Sequence, residues 1–255
     1  MILNLEPEIQ FISGIAARQN MEMTDKLSEQ MSEPKREEDR LLEEVSKLIT
    51  EGVSAVQAAT DQDLILILGG TGCGKSTAIN YLAGCRMVAR ENEDTGMEYI
   101  ECLNPVTEIG NGAISQTLYP NVVDFVIPPE NSKIKLCDTA GFCDNRGVAH
   151  DICASVSLGE VFSRSASIYG IIIMIQEADV LDARLTNVLE LFRQINRCLH
   201  RENFRGSLKF YISKSFLGRS EQQIFKIIQK KYTQLQESRD ASIEEIAWIF
   251  EELLV

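Results

Sequence analysis

The stretch Gly69, Gly70, Thr71, Gly72, Cys73, Gly74, Lys75 and Ser76 satisfies GxxxxGK[ST] at every fixed position, between a short apolar run, Leu64 to Leu68, and a helix-forming segment, Lys75 to Gly84. Few local patterns restrict a fold so tightly. Strand, glycine loop and helix in that order form a phosphate cradle. The glycines let backbone N–H groups turn inward without side-chain clashes, and the positive end of the helix faces the same anion. In that frame Lys75 reaches the β and γ phosphates, the Ser76 hydroxyl ligates Mg2+, and Thr77 contacts the α phosphate. A glycine turn that only joins a strand to a helix has no use for the Lys-Ser pair.

Further along, Ile134 to Gly141 places DxxG at the end of a strand-like run, with Asp138 and Gly141 at the fixed positions. Alone the pattern is weak. Downstream of a phosphate loop it reads as a magnesium carboxylate, Asp138, and a glycine, Gly141, whose N–H senses the γ phosphate. The preceding strands, Val122 to Ile127 and Lys133 to Cys137, are separated only by Pro128 to Ser132. So short a connection joins antiparallel neighbours, because a parallel pair needs a long crossover.

Beyond it, Ala154 to Arg164 reads as a helix, Ile168 to Ile175 as a buried strand, Leu181 to Leu199 as one periodic helix, Leu208 to Ile212 as a strand, and Glu221 to Leu235 and Ser242 to Leu254 as helices. The expected fold is a three-layer α/β P-loop NTPase of the Ras-like kind. It has a mostly parallel sheet, one antiparallel hairpin, and helical extensions at both ends. The division reads as a helical, partly disordered extension at 1–63, a nucleotide-binding domain at 64–216, and helices at 217–255 that replace or truncate the end of the domain. In the extension Leu41, Leu42, Val45, Leu48, Ile49 and Val53 recur at helical spacing after Ser32, Glu33 and Pro34. No further strand follows Leu208 to Ile212, where a full Ras-like domain has one.

A net charge of −13 argues against a broad nucleic-acid surface. The seven cysteines, without a CxxC pair, read as reduced thiols of a cytosol-like compartment. No apolar run approaches membrane-spanning length, and no basic-then-apolar leader opens the chain, so a cytoplasmic location is expected.

The switch threonine that closes over the magnesium is expected at Thr117, with Ser115 and Thr107 as alternatives. Phe142 follows Gly141 where Ras carries the glutamine that positions the attacking water. An apolar ring cannot do this, so hydrolysis is expected to be slow; Arg146 is a candidate helper, or an ordinary exposed loop arginine. After the Leu208 strand come Ser213, Lys214, Ser215 and Phe216. Lys214 stacks along a base, but the aspartate of NKxD is missing, and losing two hydrogen bonds of about 1.5–3 kcal/mol each weakens guanine preference.

Gly74 to Cys85, Asn104 to Gly110, Ser115 to Pro120 and Asp138 to Gly147 together resemble the septin-like, immunity-associated GTPases of the AIG1/Toc type within the TRAFAC class. The protist-type variants are the most similar, over about Leu64 to Ser215. The resemblance implies GTP and GDP as ligands, Mg2+, slow hydrolysis, a nucleotide-dependent homodimer and an unidentified protein effector. Ala140, commonly proline in that family, and Ser213 to Phe216 depart from its pattern. Two other classes stay open. One is an ATP-using enzyme, faintly indicated by Ile171 to Ile175 followed by Gln176 and Glu177. The other is a nucleotide-binding module without useful turnover.

Overall fold

The computed structural model describes residues 36–254 apart from 95, 97, 110–116, 128–131, 143–146, 200, 216–217 and 239–240. The helix-start signal at Ser32 to Pro34, the alternative switch residue Ser115, Arg146 and Phe216 lie outside the described residues. One compact unit spans Leu48–Val255; the other is Met1–Lys47, of which 36–47 are described and helical.

Helix α1 occupies residues 36–55 and passes into a 3-10 turn at Val56–Ala59. Within the larger unit, Leu48, Gly52 and Val56 form its buried side at i, i+4, i+8. Gly52 lies so close to its neighbours that a Cβ there would stand 2.3 Å from Ser157 Oγ. Residues 48–59 are thus packed into the core of the larger unit.

Strand β1 (Asp63–Gly69) runs along the centre of a five-stranded sheet of order β4-β5-β1-β6-β7. Its neighbours β5 (Ser132–Asp138) and β6 (Ser167–Gln176) are both parallel to it, and β7 (Leu208–Ser213) is parallel to β6. The edge strand β4 (Asn121–Ile127) is antiparallel to β5 in the register Asn121↔Asp138 to Ile127↔Ser132. The expected architecture is therefore present: a mostly parallel sheet with one antiparallel hairpin leading into Asp138. With both neighbours parallel, β1 is apolar on both faces, as buried parallel strands are.

Alternation assigns those faces. Leu64, Leu66, Leu68, Ile171, Ile173 and Ile175 join the larger core with Phe192 and Ile195, whereas Ile67, Leu136 and Met174 join a smaller one with Ile79. Helix α2 (Lys75–Leu82) supplies Ile79 to the smaller core. A separate two-stranded antiparallel ribbon, β2 (Met87–Glu91) with β3 (Glu98–Cys102), follows it.

Helix α3 (Val148–Arg164) begins earlier than its apolar pattern alone indicates. The helix expected over Leu181 to Leu199 starts later, as α5 (Thr186–Cys198), and a short α4 (Glu177–Leu181) precedes it. Leu185 between them has φ 53°, and Asp182 Oδ2 accepts the Thr186 N–H at 2.8 Å, satisfying one of the donors left free at the start of α5. A short α6 (Arg201–Phe204) precedes β7.

No sixth strand of the main sheet occurs among the described residues; α7 (Glu221–Glu237), α8 (Ala241–Glu244) and α9 (Ala247–Leu253) follow β7 instead. The two last helices occupy the span expected as one. Ile224, Ile228, Tyr232, Trp248 and Phe250 join the larger core, where Phe250 meets Phe192 edge-on at 4.8 Å. Burying rings of this size contributes about 1.5–3 kcal/mol each. The C-terminal helices therefore cover the domain rather than trail from it.

Candidate functional site

The carboxyl ends of β1 and β5 lie side by side, and their loops meet. Gly74, with φ 94°, caps α2 in a left-handed conformation that a side chain resists, and this turns the loop into the helix. The first-turn amides of Lys75, Ser76 and Thr77 have no acceptors within α2 and point to the mouth of the loop, where an anion gains from them and from the helix dipole. Lys75 is 6% exposed, and its ammonium donates to Gly69 O and Gly70 O, each at 3.2 Å. Two of its three protons thus fix the side chain across the loop.

Asp138 gathers hydroxyls around it. Ser76 Oγ donates to Asp138 Oδ2 at 2.7 Å, Thr107 Oγ1 donates to the same oxygen at 2.9 Å, and Thr117 Oγ1 lies 3.1 Å from Ser76 Oγ. Asp138 is fully buried, and its Oδ1 has no hydrogen-bond partner among the described residues. Desolvation holds its pKa above the ordinary carboxylate value, while the Ser76 hydrogen bond, the Lys75 charge and the Thr107 and Thr117 hydroxyls pull the other way.

Magnesium is the ion this chemistry implies, and the donor set fits it. Ser76, Thr117 and Asp138 offer hard oxygens, and a buried carboxylate oxygen is left unpaired. No group of three or more His, Cys, Asp or Glu suited to a metal occurs among the described residues.

Two of the three switch candidates therefore reach the site. Thr117 sits beside Ser76, and Thr107, 5% exposed, is bonded to Asp138 itself. Sequence reasoning did not find the residue that places Thr107, which is Asn80. Fully buried on α2, its Nδ2 donates to Ser76 O at 2.9 Å and Thr107 O at 2.7 Å, while its Oδ1 accepts from Val106 N at 2.7 Å. The only local signal was an amide four residues beyond Ser76, one helical turn away.

The Asp138 loop is locked to the phosphate loop. Phe142 N donates to Gly69 O at 3.1 Å and Thr71 N to Phe142 O at 3.2 Å, a parallel bridge between Gly70 and Phe142. Thr139 Oγ1 adds a bond to Ile67 O at 2.8 Å. Gly141 packs so closely that a Cβ would fall 2.8 Å from Thr71 Cα and 2.9 Å from its N. The Phe142 ring belongs to the larger core and is 5% exposed.

At the β7 tip, Ser213 Oγ donates to Cys73 O at 2.7 Å and joins the end of β7 to the loop between β1 and α2. Lys214 is exposed, with φ 53°. Glu177, which sequence reasoning weighed as an ATPase-type glutamate, is 2% exposed and paired with Arg219 at 2.9 Å. Both thiols are buried, which raises the Cys73 pKa and pushes Cys137 up to about 12.

No family model matches the chain, and no curated protein matches it. Among solved structures it is similar to Toc33 from Arabidopsis thaliana, a dimerization-deficient mutant, at 15% identity over 81% of this chain and 69% of that one, with TM-score 0.45. It is also similar to a GTP-binding protein from Sulfolobus solfataricus in complex with GDP, at 18% identity, 68% and 43% coverage and TM-score 0.40. A third is the signal recognition particle receptor SRb-GTP/SRX complex from Chaetomium thermophilum, at 17% identity, 71% and 82% coverage and TM-score 0.43. Likeness at this level describes an arrangement of strands and helices, and the functional reading rests on the site itself.

Proposed function

We propose that the chain is a GTP-binding protein and slow GTPase that works as a nucleotide-dependent switch or scaffold. The observation that carries this reading is the meeting of Ser76, Thr117 and Thr107 on Asp138 at the mouth of the phosphate loop, with one carboxylate oxygen left unpaired.

In this reading the amides from Gly70 to Thr77 cradle the α and β phosphates, Lys75 turns its ammonium toward the β and γ oxygens, and Lys214 lies along the base. Ser76 and Thr117 hold Mg2+ with Asp138 behind them. When bound, the ion neutralises charge on the terminal phosphates. Gly141 N–H meets the γ phosphate. Since Phe142 has its ring in the core, it cannot serve as the water-positioning residue, which supports slow turnover. Loss of the γ phosphate would release Thr117 and Gly141 together, the two contacts that tie the switch segments to the nucleotide.

A nucleotide-dependent homodimer and a protein effector belong to the same proposal, supported by the family resemblance, as does a cytoplasmic setting, supported by the cysteine pattern. No helix among the described residues is long and apolar enough to cross a membrane. The missing aspartate after Lys214 favours a second reading, a nucleotide-binding module of weak base preference without useful turnover.

The test is the nucleotide that co-purifies with the protein, followed by competition of GTP and ATP for the site. Guanosine nucleotide and a GTP preference support the proposal. An ATP preference contradicts it, and guanine binding without phosphate release selects the second reading.

A further inference from the structure

Among the described residues four buried side-chain atoms lack a hydrogen-bond partner, and two of them, Thr71 Oγ1 and Asp138 Oδ1, belong to the phosphate loop and the Asp138 loop. A buried hydroxyl left unpaired is costly, so its persistence beside a ligand site calls for a partner supplied by the ligand. In the proposed function the cation would satisfy Asp138 Oδ1, directly or through a bound water. Thr71 Oγ1 has no partner in the reading so far.

Its surroundings narrow the choice. The backbone pairing of Gly69 and Thr71 with Phe142 fixes Thr71 against the Asp138 loop. A Cβ on Gly141 would lie 2.6 Å from Thr71 Oγ1, so the hydroxyl stands directly against the glycine whose N–H meets the terminal phosphate in the proposed function. Thr71 also lines a cavity of about 160 Å3 with Phe142, Gln176, Asp179 and Asn187. That space is large enough for several waters and has polar groups to bind them. The Asp179 and Asn187 side chains are bonded to each other at 2.7 Å.

We infer that the Thr71 hydroxyl orients the water that attacks the γ phosphate, the role left open by Phe142. The inference rests on the proposed function. Thr71 Oγ1 accepts a hydrogen bond from the water and donates its own proton to a γ-phosphate oxygen. The water oxygen forms the new bond to the γ phosphorus, and the bond from that phosphorus to the β–γ bridging oxygen breaks. GDP leaves with the electron pair, and the water's proton passes to the phosphate product. Thr71 is unchanged at the end, and no further reactant is needed.

The experiment uses the full chain with Mg2+ and compares wild type, Thr71→Val and Thr71→Ser. It measures single-turnover GTP hydrolysis, GDP affinity, and binding of GDP with aluminium fluoride, a mimic of the phosphoryl group in flight. Val keeps the shape and removes the hydroxyl; Ser keeps the hydroxyl. Thr71→Val is expected to lose about tenfold or more in rate, the worth of one well-placed hydrogen bond, and to lose the aluminium fluoride complex to the same degree. GDP affinity stays within about twofold and Thr71→Ser stays near wild type, as suits a group that acts on the transition state. Wild-type turnover in Thr71→Val overturns the inference, as does a parallel loss of GDP affinity and rate. So does a wild type that binds guanine nucleotide but gives neither turnover nor the aluminium fluoride complex. A wild type that binds no guanine nucleotide refutes the proposed function itself, a separate result.

Discussion

At the tips of β1 and β5, Lys75, Ser76, Thr107, Thr117 and Asp138 are already bonded to one another or to the loop backbone, and Asn80 holds the Thr107 segment from behind. At the tip of β7, Ser213 Oγ donates to Cys73 O at 2.7 Å and, further along the loop, Arg219 pairs with Glu177 at 2.9 Å, while Lys214 stands exposed in a left-handed conformation. In the proposed function the first region is preorganised for phosphate and cation, whereas at the second Lys214 offers a base only an exposed side chain. Phosphate recognition needs amides, one cation and a few hydroxyls in fixed positions, which strand ends and a helix start provide. Base discrimination needs a carboxylate aimed at one edge of a ring.

The sharpest way to break the comparison is Asp138→Asn. Among metal-site partners such changes cost about 10–100-fold in metal affinity, so GTP binding should lose its dependence on Mg2+, read by titration with and without chelator. An unchanged magnesium dependence would mean that the five-residue cluster is ordinary packing. Gly141→Ala comes next. A Cβ 2.8 Å from Thr71 Cα forces the two loops apart, and overpacking of this kind costs about 1–3 kcal/mol, or roughly 2–4 °C of melting temperature for each.

Ser213→Ala should have a smaller effect. Removing one neutral hydrogen bond costs about 1 kcal/mol, roughly fivefold in nucleotide affinity, and should affect GTP and ATP alike because the bond reaches the phosphate loop rather than the base. A selective loss of GTP would make the β7 tip a base reader and erase the contrast. The smallest effect is on the stability of the nucleotide-free, magnesium-free protein. Burial raises the Asp138 pKa, so the native state binds that proton more tightly than the unfolded chain does. The resulting contribution is fully present below the unfolded value and is lost as pH rises through the folded one. Urea midpoints between about pH 4 and pH 7 should fall less steeply in Asp138→Asn than in wild type.

Much of this was legible in the sequence because its signals are local. The glycine spacing, Lys75 and Ser76 announce the loop, the five residues from Pro128 to Ser132 force an antiparallel hairpin, and Ile168 to Ile175 can only be an interior strand. The unread parts are held by contacts between distant residues. Asn80 meets Val106 and Thr107 across 26 and 27 positions, so nothing near it in sequence announces a clamp. The β2–β3 ribbon carries Arg90, Glu91, Glu98 and Glu101 among its apolar positions and shows no alternation strong enough to mark it. The late start of α5 hides within an apolar period that runs through both α4 and α5, and only the Asp182 bond to the Thr186 N–H and the backbone at Leu185 reveal it.

The most direct test of the account is GTP affinity in the presence of Mg2+ for wild type and Lys75→Ala. The ammonium spans the loop mouth, and bonds from a charged group are worth about 1.5–3 kcal/mol each, so the account predicts a loss of about a hundredfold or more with the fold intact. Equal affinity in the two proteins would contradict it, because the nucleotide would then be bound elsewhere or not by this loop.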